Sequence, residues 1–230
     1  MKINLGKTSK DSKYLALIKS AINSDHPRNH GLQMQAHHII SSEGMKRSGQ
    51  AKRIEKIGYN INHLPNLVFI PCTLQGACYL GVQPHRGNHS ATVDQDDYFD
   101  DMEPSDYHDM VADRVRDLTR RILKECLGTK EERTADSTRQ LNELSKQILS
   151  LIQYKPPEAP LTKIAKYFGK GQAGCSGVDT VSSHKSSNPC PVKHNHLFNE
   201  KLPLDSQGIN QKVEKIRFKL AGKYKLKPGA

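Results

Sequence analysis

Three short stretches of this chain carry residue types that could do chemistry together. They are Ala36-His37-His38-Ile39-Ile40, then Asn66-Leu67-Val68-Phe69-Ile70-Pro71, then His85-Arg86-Gly87-Asn88-His89. Neighbouring residues on a strand face opposite sides. His37 and His38 therefore cannot easily both bind one metal ion, but they can divide two tasks, ligand and general base. Residues four apart share a helix face, so His85 and His89 could meet one ion if His85 lies at or just before a helix start. Asn66 is placed to hold the base through its side chain or backbone. Such a set matches what hydrolysis of a phosphodiester needs: a divalent metal acting as a Lewis acid at the phosphate and the leaving oxygen, and a neutral histidine to take a proton from water.

A second cluster follows far downstream. Cys175, Cys190, His194 and His196, with His184 between, could form a tetrahedral structural zinc site. The stretch 169–196 has no apolar period and would gain from such a staple. The alternatives are a loop of unrelated thiols, or a Cys175–Cys190 disulfide outside a reducing compartment.

Elements must position these groups. An amphipathic pattern over 12–23 predicts a short helix, with Leu15, Ile18 and Ile22 in phase. Residues 33–40 read as a strand running into a loop at 41–50, and 51–57 as one or two helical turns closed by Gly58. The compact apolar run 67–70, ended by Pro71, reads as a second strand, and 72–84 as a loop. His89 is expected to open a helix. Stronger helices are expected over 107–127, on the stripe Met110, Val111, Val115, Leu118, Ile122 and Leu123, and over 134–154, on Leu141, Leu144, Ile148, Leu151 and Ile152. Pro156, Pro157 and Pro160 mark a boundary, and 210–224 reads as a basic helix.

The bulk composition narrows the partners. Across 230 residues the net charge is +11, with 35% hydrophobic and 6% aromatic residues and no Trp. That is a lean core with a polar surface, and the charge favours a polyanion such as nucleic acid. No apolar run approaches the roughly 18 residues of a membrane span, and the first ten residues lack a secretory core. Five scattered cysteines do not form a disulfide framework. Lys46, Arg47, Lys52, Arg53 and Lys56, between the two strands, and Arg86 are candidates for phosphate contact. The run 94–113 has nine acidic residues and no Lys or Arg, so it cannot face DNA.

His37-His38-Ile39-Ile40, Asn66 before an apolar strand and the His-x-x-x-His that follows resemble the HNH, or His-Me finger, nuclease superfamily. The triplet Ala36-His37-His38, the segment Gly58-Tyr59-Asn60-Ile61-Asn62 and the stretch His85 to Ser90 are similar to the AHH nuclease family of bacterial polymorphic toxins. The similarity covers residues 31 to 115. It implies an α+β fold with a ββα-metal nuclease core and mainly α-helical additions. It implies His37, His89 and His85 as metal ligands, His38 as general base and Asn66 as the residue that orients the base and its loop. The cofactor would be one divalent metal (Mg, Mn, Ni or Zn), the substrate DNA, with RNA an open alternative. It also implies a toxin delivered by a secretion system into a target-cell cytoplasm, a cognate immunity protein, and a delivery or chaperone protein. The chain departs from the family pattern at Ser41, where a proline is usual, and in the 48 positions separating His37 from His85. The expected organisation is a helical arm over 1–30, the nuclease core with its following helix over 31–128, and an accessory region over 129–230. The rival class is a non-catalytic, zinc-containing DNA-binding module. A metal-dependent hydrolase of another substrate would share the ligands.

Overall fold

The computed structural model describes residues 6–85, 89, 91–93, 105–125, 129–168, 216–220 and 224–230. Its centre is an antiparallel pair, β1 (Met34–His38) and β2 (Leu67–Pro71), in register from Met34↔Pro71 to His38↔Leu67. All five residues of β2 are buried, as its continuous apolar run requires. The backbone of β2 also meets the last residues of the chain. Phe69 N–H donates to Ala230 O at 2.9 Å, and Gly229 N–H donates to Leu67 O at 2.6 Å. The edge of the pair is thereby covered.

The helices are α1 (Tyr14–Ala21), α2 (Ser42–Arg47), α3 (Ala51–Lys56), α4 (Leu74–Leu80), α5 (Tyr107–Glu125) and α6 (Lys130–Tyr154). On α5, Met110, Val111, Val115, Leu118 and Ile122 are buried; on α6, Leu141, Leu144, Ile148, Leu149 and Ile152 are. These stripes pack into one apolar cluster with Phe69, Ile70, Ile39 and Ile40. A reciprocal capping box starts α6: Thr129 N–H donates to Glu132 at 2.8 Å and Glu132 N–H to the Thr129 hydroxyl at 3.2 Å.

Four sequence expectations change. Residues 41–50 are not simply a loop. The Ser41 hydroxyl caps α2 by accepting from Gly44 N–H at 3.0 Å, and Gly44 lets α2 press against α5, because a Cβ there would lie 2.6 Å from Val111 Cγ1. Residues 72–84 contain α4, capped by Thr73 accepting from Gly76 N–H at 3.0 Å. No helix opens at His89, whose φ is 58°. Val93 N–H instead donates to Ser105 O at 2.8 Å and Thr92 bridges Asp106, just before α5 begins. The described part of the expected basic helix, 216–220, is not helical. Its backbone is taken by tertiary partners, since Arg217 N–H donates to His30 O at 2.8 Å and Tyr79 Oη donates to Phe218 O. Ile216 and Phe218 are buried while Arg217 and Lys219 are exposed, a period of two that a helix cannot satisfy.

Candidate active site

β1 delivers its two histidines to opposite faces, yet both border one cavity at the end of the strand. On one face, the ring of His37 has both nitrogens engaged. Tyr107 Oη donates to Ile39 O at 2.6 Å, so at His37 Nε2, 3.0 Å away, that oxygen accepts. The proton of His37 thus sits on Nε2, and Nδ1 carries a lone pair. His85 shows the same logic. Its Nδ1 lies 3.1 Å from Gln35 Oε1, an acceptor, so Nδ1 holds the proton and Nε2 is bare. The two bare nitrogens, His37 Nδ1 and His85 Nε2, face each other at 3.1 Å. Two lone pairs at that distance call for a cation between them.

His89 completes a triangle. Its ring centroid is 5.2 Å from that of His37 and 5.0 Å from that of His85. Its Nε2 is buried without a hydrogen-bond partner, an omission that proteins rarely tolerate. Its left-handed backbone is unusual for a residue other than glycine and is the kind of strain found at functional sites. One ring nitrogen from each of His37, His85 and His89 lies within 4.8 Å of the others, so the group could hold a metal ion. At metal–nitrogen bonds of about 2.05 Å, the 3.1 Å pair would subtend about 98°. Burial keeps the three rings neutral: it pushes His37 well below its ordinary value, His85 down to about 4 and His89 down to about 2. Neighbouring histidines and Lys10 push the same way, weakly.

On the other face, His38 Nε2 lies 3.0 Å from Asn62 Oδ1. The amide orientation of Asn62 is fixed by its other partners. Oδ1 accepts from Asp11 N–H at 2.9 Å, and Nδ2 donates to Ser9 O at 2.9 Å and to Asn60 Oδ1 at 2.9 Å. An acceptor therefore faces His38 Nε2, which must carry the proton, and Nδ1 is left basic. The Tyr14 ring, its centroid 4.5 Å from that of His38, covers the imidazole. Burial lowers the His38 pKa, the Asn62 bond opposes this, and Lys10 lowers it further.

Asn66 holds backbone instead. Its Oδ1 accepts from Ile40 N–H at 2.7 Å and from the Ser145 hydroxyl at 2.9 Å, and its Nδ2 donates to Ile40 O at 3.0 Å and Ile61 O at 2.8 Å. It fixes the exit of β1, while the ring of His38 is held by Asn62. The expectation that Asn66 orients the base ring is corrected to that extent.

The cavity, about 480 Å³, also touches Lys10, Ser41, Glu43 and His108. The His108 Nδ1 lies 2.9 Å from the Ser41 hydroxyl, and its ring centroid is 5.1 Å from that of His89. Arg47 was expected at nucleic acid. Its guanidinium is instead tied to Glu43 at 3.1 Å, Asp106 at 3.0 Å and Asp109 at 2.8 Å, which joins α2 to the start of α5. Lys46, Lys52 and Arg53 are exposed on α2 and α3 and are not among the residues given for the cavity wall. Arg86 and the Cys175, Cys190, His194 and His196 cluster lie outside the described residues. Sequence reasoning did not single out Asn62, Tyr107, Gln35, His108 or Lys10. Asn62 lay in a stretch that carries the family resemblance but had no role assigned to it, and Tyr107 left a signal as a tyrosine at the head of an amphipathic helix, whose buried hydroxyl must find a partner.

No curated protein and no solved structure matches the chain. Residues 18–148, more than half of it, match a family described as a nuclease family of the HNH/ENDO VII superfamily with conserved AHH. The chain belongs to this AHH nuclease family.

Proposed function

We propose that the protein is a metal-dependent endonuclease that hydrolyses phosphodiester bonds of DNA on a ββα-metal core formed by β1, β2 and α5. The observation that carries this reading is the pair of bare nitrogens of His37 and His85, 3.1 Å apart, with His89 beside them. Three imidazoles suit zinc, nickel or another transition ion better than magnesium, which prefers oxygen ligands. Such an ion would supply Lewis acidity at the scissile phosphate and the leaving 3′ oxygen.

The chain's own residues do the rest. His38 stays out of the ligand set because it lies on the other face of β1 with Nε2 committed to Asn62. Its Nδ1 takes a proton from the water that attacks phosphorus, and its lowered pKa keeps the ring neutral and ready at pH 7. Asn62 is the residue that orients the base. Asn66 positions the turn that follows, and with it the backbone on which His38 is mounted. Lys46, Lys52 and Arg53 offer exposed, sequence-independent contacts for the phosphate backbone. The wider setting follows the family resemblance: a toxin domain delivered by a secretion system and countered by an immunity protein. The downstream Cys175, Cys190, His194 and His196 cluster is kept as a structural zinc site.

A plasmid assay tests the reading. Supercoiled DNA should be nicked and linearised with Zn²⁺, Ni²⁺ or Mn²⁺ and left intact in chelator, with RNA run in parallel to set the preference. Cutting that persists in chelator would refute metal dependence. Retarded but uncut plasmid with every metal would favour the non-catalytic DNA-binding module.

A further inference from the structure

The N-terminal arm, residues 6–13, precedes the stretch that matches the family, yet Gly6, Lys7, Thr8, Ser9 and Asp11 are each hydrogen-bonded to residues of 42–62. Gly6 N–H donates to Glu55 O at 2.9 Å and Lys7 N–H to Tyr59 O at 3.0 Å, and Ile61 N–H donates back to Lys7 O at 2.9 Å. A Cβ on Gly6 would lie 2.1 Å from Tyr59 O, so the arm runs flush against the 58–59 backbone. The Thr8 hydroxyl and N–H donate to Glu55 at 2.6 and 3.1 Å, and the Ser42 hydroxyl donates to Thr8 O at 3.0 Å. Ser9 and Asp11 are both bonded to Asn62, the side chain that holds His38.

Lys10 lies between those two anchors. It is an exposed residue that lines the same cavity as His37, His38, His85 and His89. The nearby Lys7 is paired with Asp11 at 2.8 Å, whereas no ion pair of Lys10 occurs among the described residues. Among the described residues of the cavity wall the one carboxylate is Glu43, which pairs with Arg47 at 3.1 Å. Lys10 thus brings to the wall a positive charge with no ion-pair partner among the described residues, while Glu43 is engaged by Arg47. A phosphodiester placed against His38 brings negative charge to the same spot, and charge builds on its non-bridging oxygens as water attacks.

We propose that Lys10 is the phosphate-binding cation of this active site, its ammonium engaging a non-bridging oxygen of the scissile phosphodiester. This rests on the nuclease reading above. A pre-positioned charge at developing oxyanion density is worth on the order of 10² in rate. Each phosphate contact also adds about 0.7–0.9 to the slope of log affinity against log salt.

The test uses the full chain with K10Q and K10R. Single-turnover cleavage of a short duplex should fall on the order of 10²-fold in K10Q and be largely kept in K10R. Binding of the same duplex in chelator, across a salt series, should lose about 0.9 of slope in K10Q only. Titration of Zn²⁺ and the melting temperature should be unchanged in both. Wild-type cleavage by K10Q with an unaltered salt slope would overturn the proposal and leave the nuclease reading standing, as would a loss of activity that follows weakened Zn²⁺ binding. A wild-type protein that cuts nothing would sink the nuclease reading, and the salt slope would still decide whether Lys10 meets a phosphate.

Discussion

Replacing Tyr107 by Phe probes the site at one oxygen. The hydroxyl makes two bonds, accepting from His37 Nε2 at 3.0 Å and donating to Ile39 O at 2.6 Å, and burial holds its pKa far above the ordinary value so that it stays a donor. Phe keeps the ring contacts with His37 and His89, whose centroids lie 5.5 and 5.3 Å away. What is lost is the lock on the His37 tautomer. The ring is then free to move its proton to Nδ1 and donate to His85 Nε2, 3.1 Å away, filling the gap where a metal would sit. An incoming ion must displace that hydrogen bond, worth about 0.5–1.5 kcal/mol, and leave His37 Nε2–H buried without a partner, about 1–3 kcal/mol. The sum, about 1.5–4.5 kcal/mol, predicts a rise in metal Kd of about 10- to 2000-fold, and its lower part is the 10- to 100-fold range typical for losing the outer partner of a histidine ligand. Competition of Zn²⁺ against a chromogenic chelator reads it directly. A Kd within twofold of wild type would refute the tautomer argument, and with it the case that His37 Nδ1 is presented bare to a metal.

Three further outcomes follow from the same geometry. His38→Ala should reduce cleavage by on the order of 10²–10⁴ while Zn²⁺ affinity stays within about twofold; loss of metal would instead place His38 in the ligand set. Arg47→Gln should lower stability by about 1–2 kcal/mol in chemical denaturation, an effect that shrinks in high salt because the pairs with Glu43, Asp106 and Asp109 are partly exposed, and DNA affinity should change little. His26, buried and pushed down to about 4 by desolvation and then by Arg28, is neutral in the fold. The unfolded chain binds a proton there below about 6.5, so stability present above that pH is lost as pH falls towards 4, by about 3 kcal/mol from this residue. His26→Asn keeps an acceptor for Arg28 N–H, bonded at 3.2 Å to His26 Nδ1, and should flatten the acid limb of the stability curve measured in chelator. An unchanged limb would count against the buried neutral ring.

Local signals in the chain were enough for part of this protein. Period placed the helices α1, α5 and α6, because each buries a face whose spacing follows helix geometry, while β2 was legible as a continuous apolar run ended by Pro71, β1 by its β-branched pair and α3 by the Gly58 that closes it. His37-His38 could be read as two tasks because adjacent strand residues must diverge. Short capped helices such as α2 and α4 were missed, since their stability comes from packing, as at Gly44 against Val111, rather than from a long period. The helix expected from His89 failed because spacing four apart says nothing of the left-handed backbone that His89 adopts. The second ring of contacts was decided only in three dimensions. Tyr107 lies 70 positions from His37, Asn62 24 from His38, and the arm that carries Lys10 joins the site through hydrogen bonds spanning 51 and 53 positions. Which nitrogen of each histidine carries the proton depends on those distant partners, so the sequence named the candidate residues and tertiary contact determined which of their atoms are left bare.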